Sequence, residues 1–173
     1  QAKAAVIWNR EPLDSFQSWI DTLEPDQLPK ARVSLRPRDV RTMVRSICSV
    51  SGTPSCAESR RFVDDVAALA DLFATIMRTP YLRLRLDVID SNACRKFHID
   101  RVTARLICTY RGTGTQYGTE ASGCDPRTVF TVPTGNPIVL RGTLWPEKPD
   151  TCLRHRSPPI EGTDETRLVL ILD

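Results

Sequence analysis

No stretch of the sequence approaches the ~20 consecutive apolar residues that a membrane-spanning helix requires, so no membrane segment is expected. The opening QAKAAVIWNR also lacks the long apolar core of a secretory signal, which makes a cytoplasmic protein the expectation. There is no block of like charge: 24 Lys and Arg are interspersed with 21 Asp and Glu, for a net charge of +3, and no nucleic-acid interface is expected from so scattered a distribution. Low-complexity tracts and internal repeats are absent. Glycine is scarce and unevenly placed, with four of the eight residues inside Arg111–Pro126, and none is followed by the Lys-Ser/Thr of a phosphate-binding loop. A Gly-x-Ser-x-Gly elbow is missing too, which removes the common hydrolase signature, Ser157 beside His155 notwithstanding. Histidine is the scarcest chemistry-bearing residue, with only His98 and His155.

What is present suffices for one folded unit. The 173 residues are 40% hydrophobic and 26% charged, the balance of a globular chain with one core. The six cysteines are not needed to staple a chain of this size and are expected as reduced thiols.

Apolar residues recur at helical spacing over Asp14–Leu23 (Phe16, Trp19, Ile20, Leu23), with Asp14 or Ser15 as the cap, and Pro25 ends the run. A second helix is predicted from about Asp39 through Ile47, and the strongest from about Glu58 to Arg78, where Phe62, Val66, Leu69, Phe73, Ile76 and Met77 form one stripe. After Pro80 the period drops to two. Leu82, Leu84, Leu86 and Val88 alternate with Arg83, Arg85 and Asp87, as in a strand with one buried face. Further strands are predicted at Val102–Tyr110, Thr128–Val132, Pro137–Arg141 and Arg167–Leu172, and Arg111–Pro126 reads as a mobile loop serving as a lid. Helices followed by strands define an α+β fold, with a helical layer over residues 1–80 packed on a closed or sandwiched antiparallel core over 81–173.

The histidines carry the chemistry. In His98-Ile99-Asp100 the imidazole and carboxylate, two residues apart on extended chain, point to the same side. If His155, 57 residues on, meets them, the set becomes the two-His, one-carboxylate facial triad of non-haem Fe(II) sites. Arg167, twelve residues after His155, could clamp a carboxylate through its guanidinium fork, with Arg105 as the alternative clamp and Tyr110 or Thr109 as an additional donor. A rival set is Cys94, His98, Cys152 and His155, whose sulfurs and nitrogens suit a closed tetrahedral Zn(II) site with Asp100 behind it. Cys108 and Cys124 read as thiols without chemistry.

The order strand, His98-x-Asp100, strands, His155, Arg167 resembles the double-stranded β-helix (jelly-roll, cupin-like) Fe(II)/2-oxoglutarate oxygenases over Tyr81–Asp173. That resemblance implies iron on His98, Asp100 and His155, and 2-oxoglutarate held at its far carboxylate by Arg167. The expected activity is a dioxygenase that oxidises an unspecified substrate and releases succinate and CO₂. The segments CRKFHIDRVTARLICTYRGTGT (94–115) and HRSPPIEGTDETRLVLILD (155–173) are similar to a bacterial family, domain of unknown function 1826. This second resemblance implies a genomic association with metal-chaperone GTPases and leaves a non-catalytic, cupin-like zinc protein of metal homeostasis as the alternative function. Gln116-Tyr117 stands where such proteins commonly carry Trp.

Overall fold

The computed structural model describes residues 3–120, 124–147 and 152–173. Its central feature is a six-stranded antiparallel sheet. In sheet order the strands are β1 (Ala5–Ile7), β7 (Pro137–Arg141), β4 (Ala104–Arg111), β9 (Arg167–Leu172), β3 (Leu82–Ile89) and β2 (Ala31–Leu35). Of these, β3 alternates apolar and charged residues, while β4, β7 and β9 are largely buried on both faces. Residues paired across strands share a face, so the register sorts the side chains into two sets. Leu84 and Leu86 of β3 pair with Leu172 and Leu170, and these in turn with Leu106 and Cys108 of β4. All are buried under the helices α1 (Asp14–Thr22), α2 (Val40–Val50) and α3 (Ala57–Met77). Each fully buried leucine there contributes roughly 1.5–3 kcal/mol.

The opposite face of the sheet carries Arg85, Asp87, Arg105, Ile107, Val169 and Ile171, and a smaller antiparallel sheet stands near it. That sheet is ordered β6 (Phe130–Thr131), β5 (Gln116–Thr119), β8 (Leu153–Arg156). A second apolar cluster of Ile107, Val132, Ile138, Leu140 and Val169, joined by Tyr117, fills part of the space between the sheets. The result is a mixed α and β structure of helices, large sheet and small sheet in layers.

Several sequence expectations need adjustment. The three helices fall where the periodicity predicts them, but α1 begins at Asp14 with Leu13 in the capping position and no side-chain cap. The first 80 residues are not helical throughout: β1 and β2 form the two edges of the large sheet, pairing with β7 and β3. β1 spans only three residues, and β2, in which Ala31, Val33 and Leu35 alternate with Arg32 and Ser34, only five, so each carries a period-two signal too short to stand out. The Arg111–Pro126 segment is not simply a lid, because Gln116–Thr119 is the middle strand of the small sheet. Residues 121–123 of that segment lie outside those described. Gly114 is required there by space, since a Cβ would collide with the Val132 carbonyl oxygen.

The N-terminal segment is locked to the layers by one polar cluster. Arg10 donates two hydrogen bonds to Asp65 of α3 at 2.5 and 2.7 Å, and the Tyr110 hydroxyl donates to the same carboxylate at 2.6 Å. Replacing Asp65 by Ala strands a guanidinium and a buried phenol without their acceptor. The expected loss is about 3 kcal/mol, the low end for a broken buried pair because Arg10 and Asp65 keep about a quarter of their side chains exposed. The urea midpoint of D65A reads this directly, with metal affinity unchanged.

Candidate metal centre

His98 and His155 are brought together by backbone, not by chance contact. They form an isolated antiparallel bridge in which each amide donates to the other's carbonyl at 3.0 Å. Residues bridged in this way place their side chains on one face, and the two imidazole centroids are 4.5 Å apart. Asp100, two residues beyond His98, joins that face. Its segment is held by the Thr143 amide, which donates to the Asp100 carbonyl at 2.9 Å, and by Gly142, whose missing Cβ leaves room for the Val102 and Asp100 carbonyls.

The ligand atoms of His98, Asp100 and His155 all lie within 4.8 Å of one another, and they are the one such group among the described residues. Asp100 Oδ2 is 3.0 Å from His155 Nε2, and Oδ1 is 3.5 Å from His98 Nε2. Donor atoms about 2.1 Å from one ion and at right angles to each other would be ~3.0 Å apart, so this spacing suits a shared ion. Two further observations test the fit. Asp100 Oδ2 is buried and makes no aligned hydrogen bond despite its closeness to His155. His98 Nδ1 is 2.9 Å from the Lys96 carbonyl oxygen and donates to it, which fixes the tautomer that leaves Nε2 free to bind metal.

Arg105 positions the carboxylate. Its guanidinium bonds Asp100 Oδ1 and also donates to both oxygens of Asp173, at 2.5 and 3.1 Å. Burial opposes ionisation of Asp100, but the neighbouring His155, His98 and Arg105 outweigh it and hold the carboxyl far below the usual range. The His98 imidazole is shifted the other way, raised chiefly by its hydrogen bond to Asp100.

These shifts set the pH behaviour. Metal must displace the proton that the raised His98 retains, so affinity for a divalent ion should rise with pH through that raised value, by up to tenfold per unit for one displaced proton, and then level off. Proton release measured by calorimetry in buffers of different ionisation enthalpy checks it. Metal-free stability runs oppositely for this histidine: its contribution is present below the unfolded pKa and lost as pH rises through the folded one. The Asp100 contribution is present above the ordinary carboxylate value and lost only as pH falls through its depressed one.

Arg167 lies in the same cleft, a space of about 140 Å³ also lined by His98, Asp100, His155, Thr115 and Ser157. It is 1% exposed, and among the described residues no carboxylate forms an ion pair with it. Its guanidinium donates to the Thr113 carbonyl at 2.6 Å, to Ser157 Oγ at 2.5 Å and, at 3.5 Å, to Thr109 Oγ1, while Glu165 is taken by the Thr113 amide and hydroxyl. Burial pulls its pKa down to about 10.

The other candidates separate by strand parity. Tyr110 cannot serve the cleft: it lies on the helix-facing side with Cys108, against Phe62 and Phe16, and its hydroxyl is spent on Asp65. Thr109, one residue earlier, does face the cleft. Arg105 is there too, with its guanidinium occupied by the carboxylates of Asp100 and Asp173. The four-ligand zinc set is not assembled. Cys152 precedes β8 with a left-handed backbone (φ 55°), and its thiol is not in the ligand cluster. Cys94 is exposed; its carbonyl accepts from the Ser157 amide, and its thiol stays outside the ligand cluster. Sequence reasoning missed Thr113 and Asp173, and weighed Ser157 only as a hydrolase residue. Ser157 was visible as the same-face neighbour of His155 two residues away, whereas Asp173 needed the β4–β9 register.

His155 of the small sheet, His98 bridged to it and Asp100 two residues further on thus meet before the larger sheet with a buried arginine in the same cleft, a group of three side chains that could hold one metal ion. The chain belongs to the family described as "Protein of unknown function (DUF1826)", whose model it matches over residues 1–173. In fold it is similar to dioxygenase for auxin oxidation 1 from Arabidopsis thaliana, solved as a 2-oxoglutarate complex, with a TM-score of 0.51 and 14% identity over 83% of this chain. It is also similar to the dioxygenase for auxin oxidation of rice, with a TM-score of 0.52 and 11% identity over 98% of this chain. The chain spans 62% of the Arabidopsis protein's length and 72% of the rice protein's. No curated protein matches it in sequence.

Proposed function

We propose that this protein is an Fe(II)/2-oxoglutarate-dependent oxygenase whose two sheets form a double-stranded β-helix. The observation that carries the reading is the coexistence in one cleft of a three-ligand set with a buried guanidinium that has no carboxylate partner among the described residues. His98 Nε2, His155 Nε2 and an Asp100 oxygen would hold the iron. Fe(II) with 2-oxoglutarate supplies the activation of dioxygen that drives the oxidation of a substrate.

The chain's own residues do the rest. Arg105, itself anchored by Asp173, helps keep Asp100 ionised and aimed, so that it meets the ion without reorganisation. Arg167 receives the far carboxylate of 2-oxoglutarate with help from Ser157, whose hydroxyl already touches the guanidinium. A fully buried cation is costly to leave unpaired, and an incoming carboxylate removes that cost. The walls from Ile107, Val169 and Ile171 exclude water from the space between clamp and triad.

Anaerobic addition of 2-oxoglutarate to the Fe(II)-loaded protein tests the assignment. A visible charge-transfer absorption that saturates with 2-oxoglutarate and vanishes on chelation is expected. Tight metal binding with no such absorption would leave a metal-binding protein without the proposed activity.

A further inference from the structure

The cations lining the cleft are not equally occupied. Arg105 is paired with Asp100 and Asp173, while Arg156 donates to Gln116 Oε1 at 2.8 Å and lies over the Phe97 ring at 4.5 Å. Arg167 is spoken for by the clamp role. Arg85 is different. Its nearest carboxylate, Asp87 Oδ2, is 3.8 Å from NH1, its Nε is buried without a partner, and its guanidinium donates no hydrogen bond among the described residues. Only about a fifth of the side chain is exposed, so water does not replace the missing acceptors in full.

The strand register makes the position more unusual. Arg85 on β3 lies directly opposite Arg32 on β2, and directly opposed like charges destabilise a sheet. Arg32 is exposed at the edge and Arg85 lines the cleft, so the pair forms a cationic strip leading inward from the rim. An anion bound between or beside the two guanidiniums would balance such a strip more fully than Asp87 does at 3.8 Å.

That anion is not the one held by Arg167. Arg85 pairs with Ile171 of β9, whereas Arg167 pairs with Ile89, four residues along β3 and about 13 Å away. Ile171 is instead two residues from Asp173, which anchors Arg105 and through it Asp100. Arg85 therefore belongs to the triad end of the cleft, on the β2 side. The geometry points to a small organic anion as the primary substrate, its carboxylate or phosphate gripped by Arg85 with Arg32 at the entrance and its remaining atoms turned toward the triad. This assignment of substrate class rests on the oxygenase reading. Asp87 is the counter-charge that the anion displaces from Arg85.

Calorimetry on Co(II)-loaded protein tests it with three probes of similar shape: phenylacetate, phenyl phosphate and the uncharged phenylacetamide. At least one anion should bind at least about tenfold tighter than the amide. R85Q should lose that preference, R32Q should weaken it, and R85K should retain part of it, since lysine keeps the charge without the fork. Affinities of R85Q for Co(II) and 2-oxoglutarate should match the wild type, and its thermal midpoint should not fall. Loss of 2-oxoglutarate binding in R85Q would overturn the proposal by placing Arg85 in the clamp, and so would equal binding of anions and amide, or an anion preference that survives in R85Q. Failure of the wild type to bind 2-oxoglutarate would count against the oxygenase reading alone, because anion preference is read separately.

Discussion

Arg167→Met should weaken 2-oxoglutarate binding by at least 30-fold and leave metal affinity intact, while stability to urea stays level or rises. The two halves of this result come from one cause. Arg167 is 1% exposed and satisfied only by a carbonyl and hydroxyls, so in the ligand-free protein its charge is a cost that burial has already driven into its pKa of about 10. Replacing a buried charge by an apolar side chain of similar volume is often neutral or stabilising. With the co-substrate bound the sign reverses, because truncating one partner of a buried charge pair costs roughly 2–5 kcal/mol, or about 30-fold to several thousandfold in affinity. A purely structural arginine would show the opposite pattern, a loss of stability with no selective effect on 2-oxoglutarate. Titration of 2-oxoglutarate into Fe(II)-loaded wild type and variant under anaerobic conditions, beside urea denaturation of the metal-free proteins, separates the two.

His155→Ala is expected to lower divalent-metal affinity by more than about 100-fold, beyond the 10- to 100-fold typical of losing a residue that merely orients a ligand. The fold should persist, because the bridge to His98 is made by the backbone amides and carbonyls and does not need the imidazole. Competition with a chromophoric chelator gives the affinity, and circular dichroism shows whether β8 and its partners remain. Cys94→Ser and Cys152→Ser should change the affinity little, since neither thiol belongs to the ligand cluster.

The triad was legible in the sequence because its signals are local or rare. The spacing of His98 and Asp100 fixes their common side on extended chain, and a single other histidine left one candidate for the third ligand. That Arg167 opens the last strand was legible from the apolar run that follows it; that it lines the same cleft as the triad needed the fold. Between Tyr110 and Thr109 the sequence left the choice open, and parity makes it: Leu106, Cys108 and Tyr110 face the helices, whereas Arg105, Ile107 and Thr109 face the cleft side, so Arg105 and Tyr110 cannot serve one ligand. The edge strands β1 and β2 were hidden because edges are short and carry charges such as Arg32, and their pairing depends on residues a long way along the chain. The partners of Arg105 were hidden for a related reason: Asp173 reaches it only through the register of β4 against β9.

The most direct test is the anomalous scattering of iron in crystals of the protein loaded anaerobically with Fe(II). One peak is expected about 2.0–2.2 Å from Nε2 of His98, Nε2 of His155 and an oxygen of Asp100, with no other side chain of the protein in contact with it. A peak bound through Cys94 or Cys152, or the absence of any peak between the two imidazoles, would contradict the account.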